Sequence, residues 1–296
     1  MSVRVTPERA AELFESTKQW GRWGDDDQRG ALNLLTSERT AATLVRDGTV
    51  VSCGRPLPVA PALDNPTPAQ HHMLLAGDVL AARGLQASAD FVGVAFHGMA
   101  VSHVDALCHV FVEGRMWNGF PASARRNSIE PAAAGIVGRG VLLDLPRRRG
   151  TRWLEPGDAV GPDELAATCA SQGVEVRPGD ILLVSTGRDE RRAELGPWSP
   201  ASEGLAGLHP ECIPWLHERD VAVLGSDGVS AEAHDWPMPL HMCLLVGMGV
   251  HLLDNLHLGR LVAACAAAGR WEFLFTVSAL HIGGGTGSPV NPVAVL

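Results

Sequence analysis

The stretch H-G-M-A-V-S-H-V-D-A-L-C-H, running from His97 to His109, crowds His97, His103, Asp105 and His109 into thirteen residues. Burying so much imidazole and carboxylate in an apolar neighbourhood is costly unless the groups share a ligand or handle a proton. His103 and Asp105 are two apart, so in an extended segment their side chains face one side and can meet at one cation. His109 lies four beyond Asp105 and returns to that side if the chain turns helical there. Neutral imidazole with ionised carboxylate suits zinc, manganese or iron, and the lack of thiolate argues against a purely structural zinc site. A lone histidine is usually a core residue; a clustered trio with an aspartate points instead to a site.

Around this stretch, 296 residues of which 46% are hydrophobic can bury a substantial core. No Ser/Gly linker or charge block divides the chain, so residues 1–296 are expected to form one domain of mixed α/β class. A formal charge of -9 leaves no basic footprint, which excludes nucleic acid as a partner and leaves a small-molecule substrate. The N-terminus lacks the apolar core of a signal peptide, and no window approaches the ~20 apolar residues of a membrane span. The six cysteines form no C-x-x-C, which suggests reduced thiols and a cytoplasmic protein. Cys108 and Cys243 stand near histidines but read as small buried hydrophobes.

Two absences exclude whole chemistries. Lys18 is the sole lysine, so a Schiff-base (PLP) lysine or a P-loop has no room, and tyrosine is missing altogether. Neither G-x-S-x-G nor G-x-G-x-x-G occurs, which disfavours an α/β-hydrolase and a nucleotide cofactor.

Taken in order, Thr6-Pro7-Glu8 caps a helix expected to run to about Ser16. Asp25, Asp26 and Asp27 lack the alternating spacing of a calcium loop and read as a solvated loop. Ser37-Glu38 opens a second expected helix that Asp47-Gly48 closes, followed by a strand over Thr49 to Cys53. Residues 56–68 are a Pro-rich loop leading to His71 and His72, neither expected as a ligand. Buried strands are expected at 140–145, 180–186 and 221–227, and helices at 162–171, 210–219 and 258–268. Arg188, Arg191 and Arg192 read as a charged helix face, and Asp227 as an orienting partner for a histidine. A short helix is expected from His241, the last strand at 272–280, and a glycine turn at 283–287 that is no nucleotide loop.

In the central stretch, His103, Asp105 and His109 resemble the latter part of the H-x-G-T-H-x-D-x-x-x-H signature of the metal-dependent cyclase family, which includes kynurenine formamidases, isatin hydrolases and trans-dienelactone hydrolases. W-G-R-W-G-D-D-D-Q-R-G-A-L-N from Trp20, G-R-M-W-N-G from Gly114 and G-S-D-G-V-S from Gly225 also fit, as do P-L-H-M-C-L-L from Pro239, L-D-N-L from Leu253 and G-G-T-G-S-P-V-N-P near the C-terminus. The resemblance implies a swivelling β/β/α architecture and a homodimer or homotetramer, with an N-terminal segment (about 1–35) packing on a neighbouring protomer. It also implies a hydrolase that opens an amide, lactam, lactone or ester bond with one divalent ion, zinc or manganese.

The ion would be held by His103, Asp105, His241 and Asp254, with His109 as general acid/base and His103 and Asp105 within the catalytic group. Trp20, Trp23, Trp117, His97 and Met99 are the expected substrate contacts. Two positions depart from the pattern. Met99 stands where the family has its first ligand histidine, and Asp254 where it has a glutamate. His97 shares strand parity with Met99 and can stand in for the missing imidazole, Gly98 easing the rearrangement. Without a metal, His103, Asp105 and His109 suit acid/base dehydration, cyclisation or isomerisation, and a non-catalytic binding protein is the remaining alternative.

Overall fold

A computed structural model describes residues 5–36, 45–76, 87–229 and 238–296. The expected helix opening at Ser37 lies outside these residues. Nine strands form the main sheet: β1 (Val50–Ser52), β4 (His103–Asp105), β5 (Ile136–Asp144), β7 (Ile181–Ser185), β9 (Val223–Ser226), β10 (His251–Asp254), β11 (Glu272–Val277), β12 (Gly287–Pro289) and β13 (Val293–Val295). β2 (Gln70–Leu75) with β3 (Ala89–Gly93), and β6 (Ala159–Val160) with β8 (Gly207–Leu208), make two separate pairs.

The sheet order is β1-β13-β11-β5-β7-β9-β10-β4-β12. Its middle, β5-β7-β9-β10, is parallel, and both wings are antiparallel. Parallel strands covered on both faces read as continuous apolar runs, and Ile181-Leu-Leu-Val-Ser185 is buried throughout. Alternation then divides the core. Val141, Leu143, Leu182, Val184 and Leu252 face one layer with Leu165, Leu216 and Leu245, while Leu142, Ile181, Leu183 and Leu253 face another with Leu261, Phe273 and Phe275. The mixed α/β single domain expected from the sequence is the observed one.

Several elements meet their expected bounds for the expected reasons. Thr6 accepts a hydrogen bond from Arg9 N at 3.2 Å and caps the helix Pro7–Thr17. The helices Pro162–Gln172 and Gly259–Ala268 both end on left-handed glycines, Gly173 and Gly269. Other expectations need correction. β11 is not the last strand, because β12 and β13 follow the glycine turn and complete both wings of the sheet. Residues 210–219 split into a 3₁₀ turn at Pro210–Cys212 and a helix at Ile213–Glu218. The segment after His241 winds as a π-helix, Met242–Met248, a form often found at functional sites.

The N-terminal aspartates divide the work of a loop. Asp27 accepts from Gly30 N at 2.8 Å, Asn33 Nδ2 at 2.7 Å and Trp117 Nε1 at 3.1 Å, whereas Asp26 lies outward beside Arg126. Asp27 is thus a structural staple.

Candidate active site

Sheet register, which no local spacing reveals, assembles the site. In the antiparallel pair β4/β10, His103 stands opposite Asp254 and Asp105 opposite Leu252. Directly opposed residues project to one face with neighbouring side chains, so both carboxylates and His103 share the face on which the π-helix segment packs. His241, at the end of the one-turn helix Pro239–His241, enters from that segment. The four residues expected as ligands therefore converge: His103 Nε2 is 3.4 Å from Asp105 Oδ1, and His241 Nε2 is 3.7 Å from Asp105 Oδ2 and 3.2 Å from Asp254 Oδ2. Although one methylene shorter than glutamate, Asp254 reaches the cluster.

Residues 106–109 form a turn rather than a helix, closed by His109 N donating to Ala106 O at 3.0 Å. The ring nonetheless returns to the carboxylate, with Nε2 4.0 Å from Asp105 Oδ1. His97 arrives from the preceding loop, its Nδ1 3.0 Å from the same oxygen and its ring stacked on His109 at 3.7 Å with an interplanar angle of 4°.

Asp105 is fully buried, yet neither of its oxygens makes a hydrogen bond within the described residues. Ring nitrogens crowd around it without hydrogen-bond geometry, as groups do when they aim at a common point rather than at each other. His103 Nδ1 donates to Val101 O at 2.8 Å, which turns Nε2 toward the carboxylates, where it carries a proton in the imidazolium and can bind a cation once that proton is lost. Two triads with mutually close donor atoms, His103–Asp105–Asp254 and His97–Asp105–His109, share Asp105. The donor set of imidazoles and carboxylates fits a divalent cation.

The electrostatics agree. Burial would raise the Asp105 pKa, but His103, His97 and His241 hold it below the usual carboxylate range. Burial works against a charged His103, but Asp105 and Asp254 outweigh it and push its pKa to about 9. His109 moves the other way, its pKa lowered chiefly by burial, so the ring facing Asp105 is neutral at pH 7. The site demands positive charge, whether as a metal ion or as an imidazolium.

A third buried imidazole stands apart. Neither nitrogen of His251 has a partner among the described residues, and burial pulls its pKa down to about 4. A base whose folded pKa is depressed contributes stability that is present above the unfolded value near 6.5 and lost as pH falls toward 4. Of the stability lost between pH 7 and pH 5, about 2 kcal/mol is expected to disappear in His251→Leu. Urea unfolding at the two pH values measures it; equal losses in both proteins would show that His251 does not titrate on unfolding.

The expected aromatic contacts occupy the N-terminal layer. Trp20 Nε1 donates to Val246 O at 2.6 Å, Trp23 packs on Trp117 with ring centroids 6.0 Å apart, and Trp117 is entirely buried against Gly249. These rings form core contacts within the single chain. The side chain of Met99 packs on Trp198, Leu205 and Val229. Cys108 and Cys243 are part of the packed interior, and burial raises the Cys108 thiol.

Two earlier assignments are overturned. Arg188 does not lie on an exposed charged face but is buried, donating to Asn255 Oδ1 at 2.7 Å and Met99 O at 2.6 Å. Asp227 accepts from the backbone of Thr186, Gly187 and Arg188, so it caps the helix Arg188–Leu195 rather than orienting a histidine. Asn255, missed in the sequence, holds left-handed backbone (φ 55°) and donates to Gly98 O at 2.7 Å and Val101 O at 3.2 Å. Its position directly after Asp254, where asparagine tolerates φ above zero, was the available signal.

The Cyclase family model ("Putative cyclase") matches residues 19–233, which include the His97–His109 stretch. The structure of "a novel cyclase" is similar over 96% of this chain and 99% of its own, at 31% identity and a TM-score of 0.88. Isatin hydrolase A from Labrenzia aggregata is similar in fold, with 21% identity, a TM-score of 0.63, and coverage of 83% of this chain and 93% of its own. A predicted metal-dependent hydrolase from Bacillus stearothermophilus aligns at 15% identity and a TM-score of 0.54, over 84% of this chain and 98% of its own. No curated protein matches the chain.

Proposed function

The chain belongs to the cyclase family, and from its site we propose a metal-dependent hydrolase that opens an amide, lactam, lactone or ester bond of a small cyclic or aromatic substrate. The observation that carries this reading is Asp105, buried amid His103, His241, His97 and His109 with neither oxygen hydrogen-bonded among the described residues. A divalent ion, zinc or manganese, held by His103, Asp105, His241 and Asp254 would make a bound water acidic and polarise the substrate carbonyl. His109, neutral and at the rim of the cluster, takes the proton of the attacking water. The Asp105 charge nearby favours the imidazolium so formed, which returns the proton to the departing nitrogen or oxygen.

Beside His241 and Asp254 lies a cavity of about 30 Å³ walled by Val184, Leu208, Leu224 and Leu252, suited to a small apolar substituent of the substrate. The β2/β3 hairpin exposes Met73, Leu74, Phe91 and Val92; a two-stranded hairpin is marginal in water, which supports a homodimer or homotetramer that covers it. Contact of residues 1–35 with a neighbouring protomer belongs to the same proposal. No helix among the described residues is long and apolar enough to cross a membrane. The six cysteines, with no C-x-x-C among them, support a reducing, cytoplasmic setting.

A second reading has one specific observation in its favour. The raised pKa of His103 means that an imidazolium alone can balance Asp105, which suits metal-independent dehydration, cyclisation or isomerisation. Hydrolysis of a panel of formylated anilines, lactams and lactones, before and after chelation, separates the two. The expected result is chelation-sensitive hydrolysis that falls about 10²- to 10⁴-fold in His109→Ala. Undiminished turnover after chelation would discard the metal mechanism, and a His109→Ala variant as active as wild type would discard the proton-transfer role.

A further inference from the structure

We propose that His97, through Nδ1, is the imidazole ligand that Met99 does not supply, and that the stacked pair divides its labour: His97 binds the cation while His109 moves the proton. This rests on the cation reading above. Four observations carry it. His97 Nδ1 is a buried atom without a hydrogen bond among the described residues and lies 3.0 Å from an Asp105 oxygen that likewise has none among them. The other ring nitrogen, Nε2, is 3.0 Å from Thr286 Oγ1, an arrangement that fixes the ring and directs Nδ1 inward.

The third is the space made for the ring. A Cβ on Gly287, opposite Asp105 in the β4/β12 pair, would sit 2.5 Å from Val104 O and 2.9 Å from His97 Cε1, so glycine there admits both the neighbouring strand and the imidazole. The fourth is the loop between the two positions. Asn255 binds Gly98 O, and buried Arg188 binds Met99 O, while the Met99 side chain turns to Trp198 and Leu205. Held this way, the loop delivers residue 97 rather than residue 99 to the carboxylate. Of the two stacked rings, His97 is the nearer to Asp105, at 3.0 Å against 4.0 Å for His109, and so takes the ligand position.

Mn²⁺ binding to the full chain, measured by isothermal titration and by the electron paramagnetic resonance of free Mn²⁺, tests the assignment. His97→Ala is expected to weaken Mn²⁺ by at least about tenfold and Thr286→Val by a smaller factor, whereas His109→Ala binds within about twofold of wild type. His97→Gln, which keeps bulk on Gly287, should reproduce the loss if His97→Ala proves unstable. The visible spectrum of bound Co²⁺ should change in His97→Gln and not in His109→Ala. Wild-type affinity in both His97 variants, or a loss confined to His109→Ala, overturns the inference. Failure of wild type itself to bind Mn²⁺ or Co²⁺ would instead overturn the cation reading on which it rests.

Discussion

Asp105→Ala is expected to lower hydrolytic turnover by roughly a thousandfold and to strip the protein of its divalent ion. Both losses come from one fact: the carboxylate is buried amid imidazoles and makes no hydrogen bond among the described residues, so its task is to hold positive charge. A cation's stabilisation of developing charge amounts to several kcal/mol, and each 1.36 kcal/mol is a factor of ten in rate. Loss of an ordinary buried polar partner would instead lower the melting temperature and leave the metal content unchanged. Turnover, metal content and melting temperature measured on one preparation decide between them. A variant that keeps its metal and most of its activity would remove Asp105 from the centre of the site.

The largest expected effect on stability belongs to Gly30→Ala. Gly30 has φ +56°, and a Cβ there would sit 2.2 Å from the carbonyl oxygen of Gly249 and 2.8 Å from its Cα. These are backbone atoms, and the same oxygen accepts from Ala31 N at 2.7 Å, so nothing nearby can swing aside. Gly249 in turn lies against the Trp117 ring, so the strain passes to the layer that carries the π-helix. Left-handed backbone and overpacking together should cost roughly 3 kcal/mol or more, lowering the melting temperature by about 5 °C or more. Gly24→Ala is the control: it has φ +97° but open space around its Cβ, and should lose only about 1–2 kcal/mol. Equal losses in the two variants would mean that backbone conformation, not the Gly30–Gly249 contact, sets the cost.

Much of the site was legible because its parts obey local rules. The two-residue spacing of His103 and Asp105 does put both side chains on one face of β4. Convergence of His241 and Asp254 on that face followed only from family resemblance, since pairing of β4 with β10 joins segments far apart in the chain and periodicity is blind to register. Arg188 was misread for a related reason. Its spacing with Arg191 and Arg192 looks like a helix face, but the acceptors that pull it inside, Met99 O and Asn255 Oδ1, come from distant loops. β12 and β13 were missed because three-residue strands carrying Pro289 or following Pro292 give no alternation to read.

The claim on which everything else depends is that His103, Asp105, His241 and Asp254 enclose a cation. An anomalous-difference map, collected at the manganese or zinc edge from crystals grown with that metal, tests it most directly. A strong peak is expected within coordination distance of an Asp105 oxygen and His103 Nε2; a map without density there, the four side chains bonded only to one another or to water, would contradict the cation site.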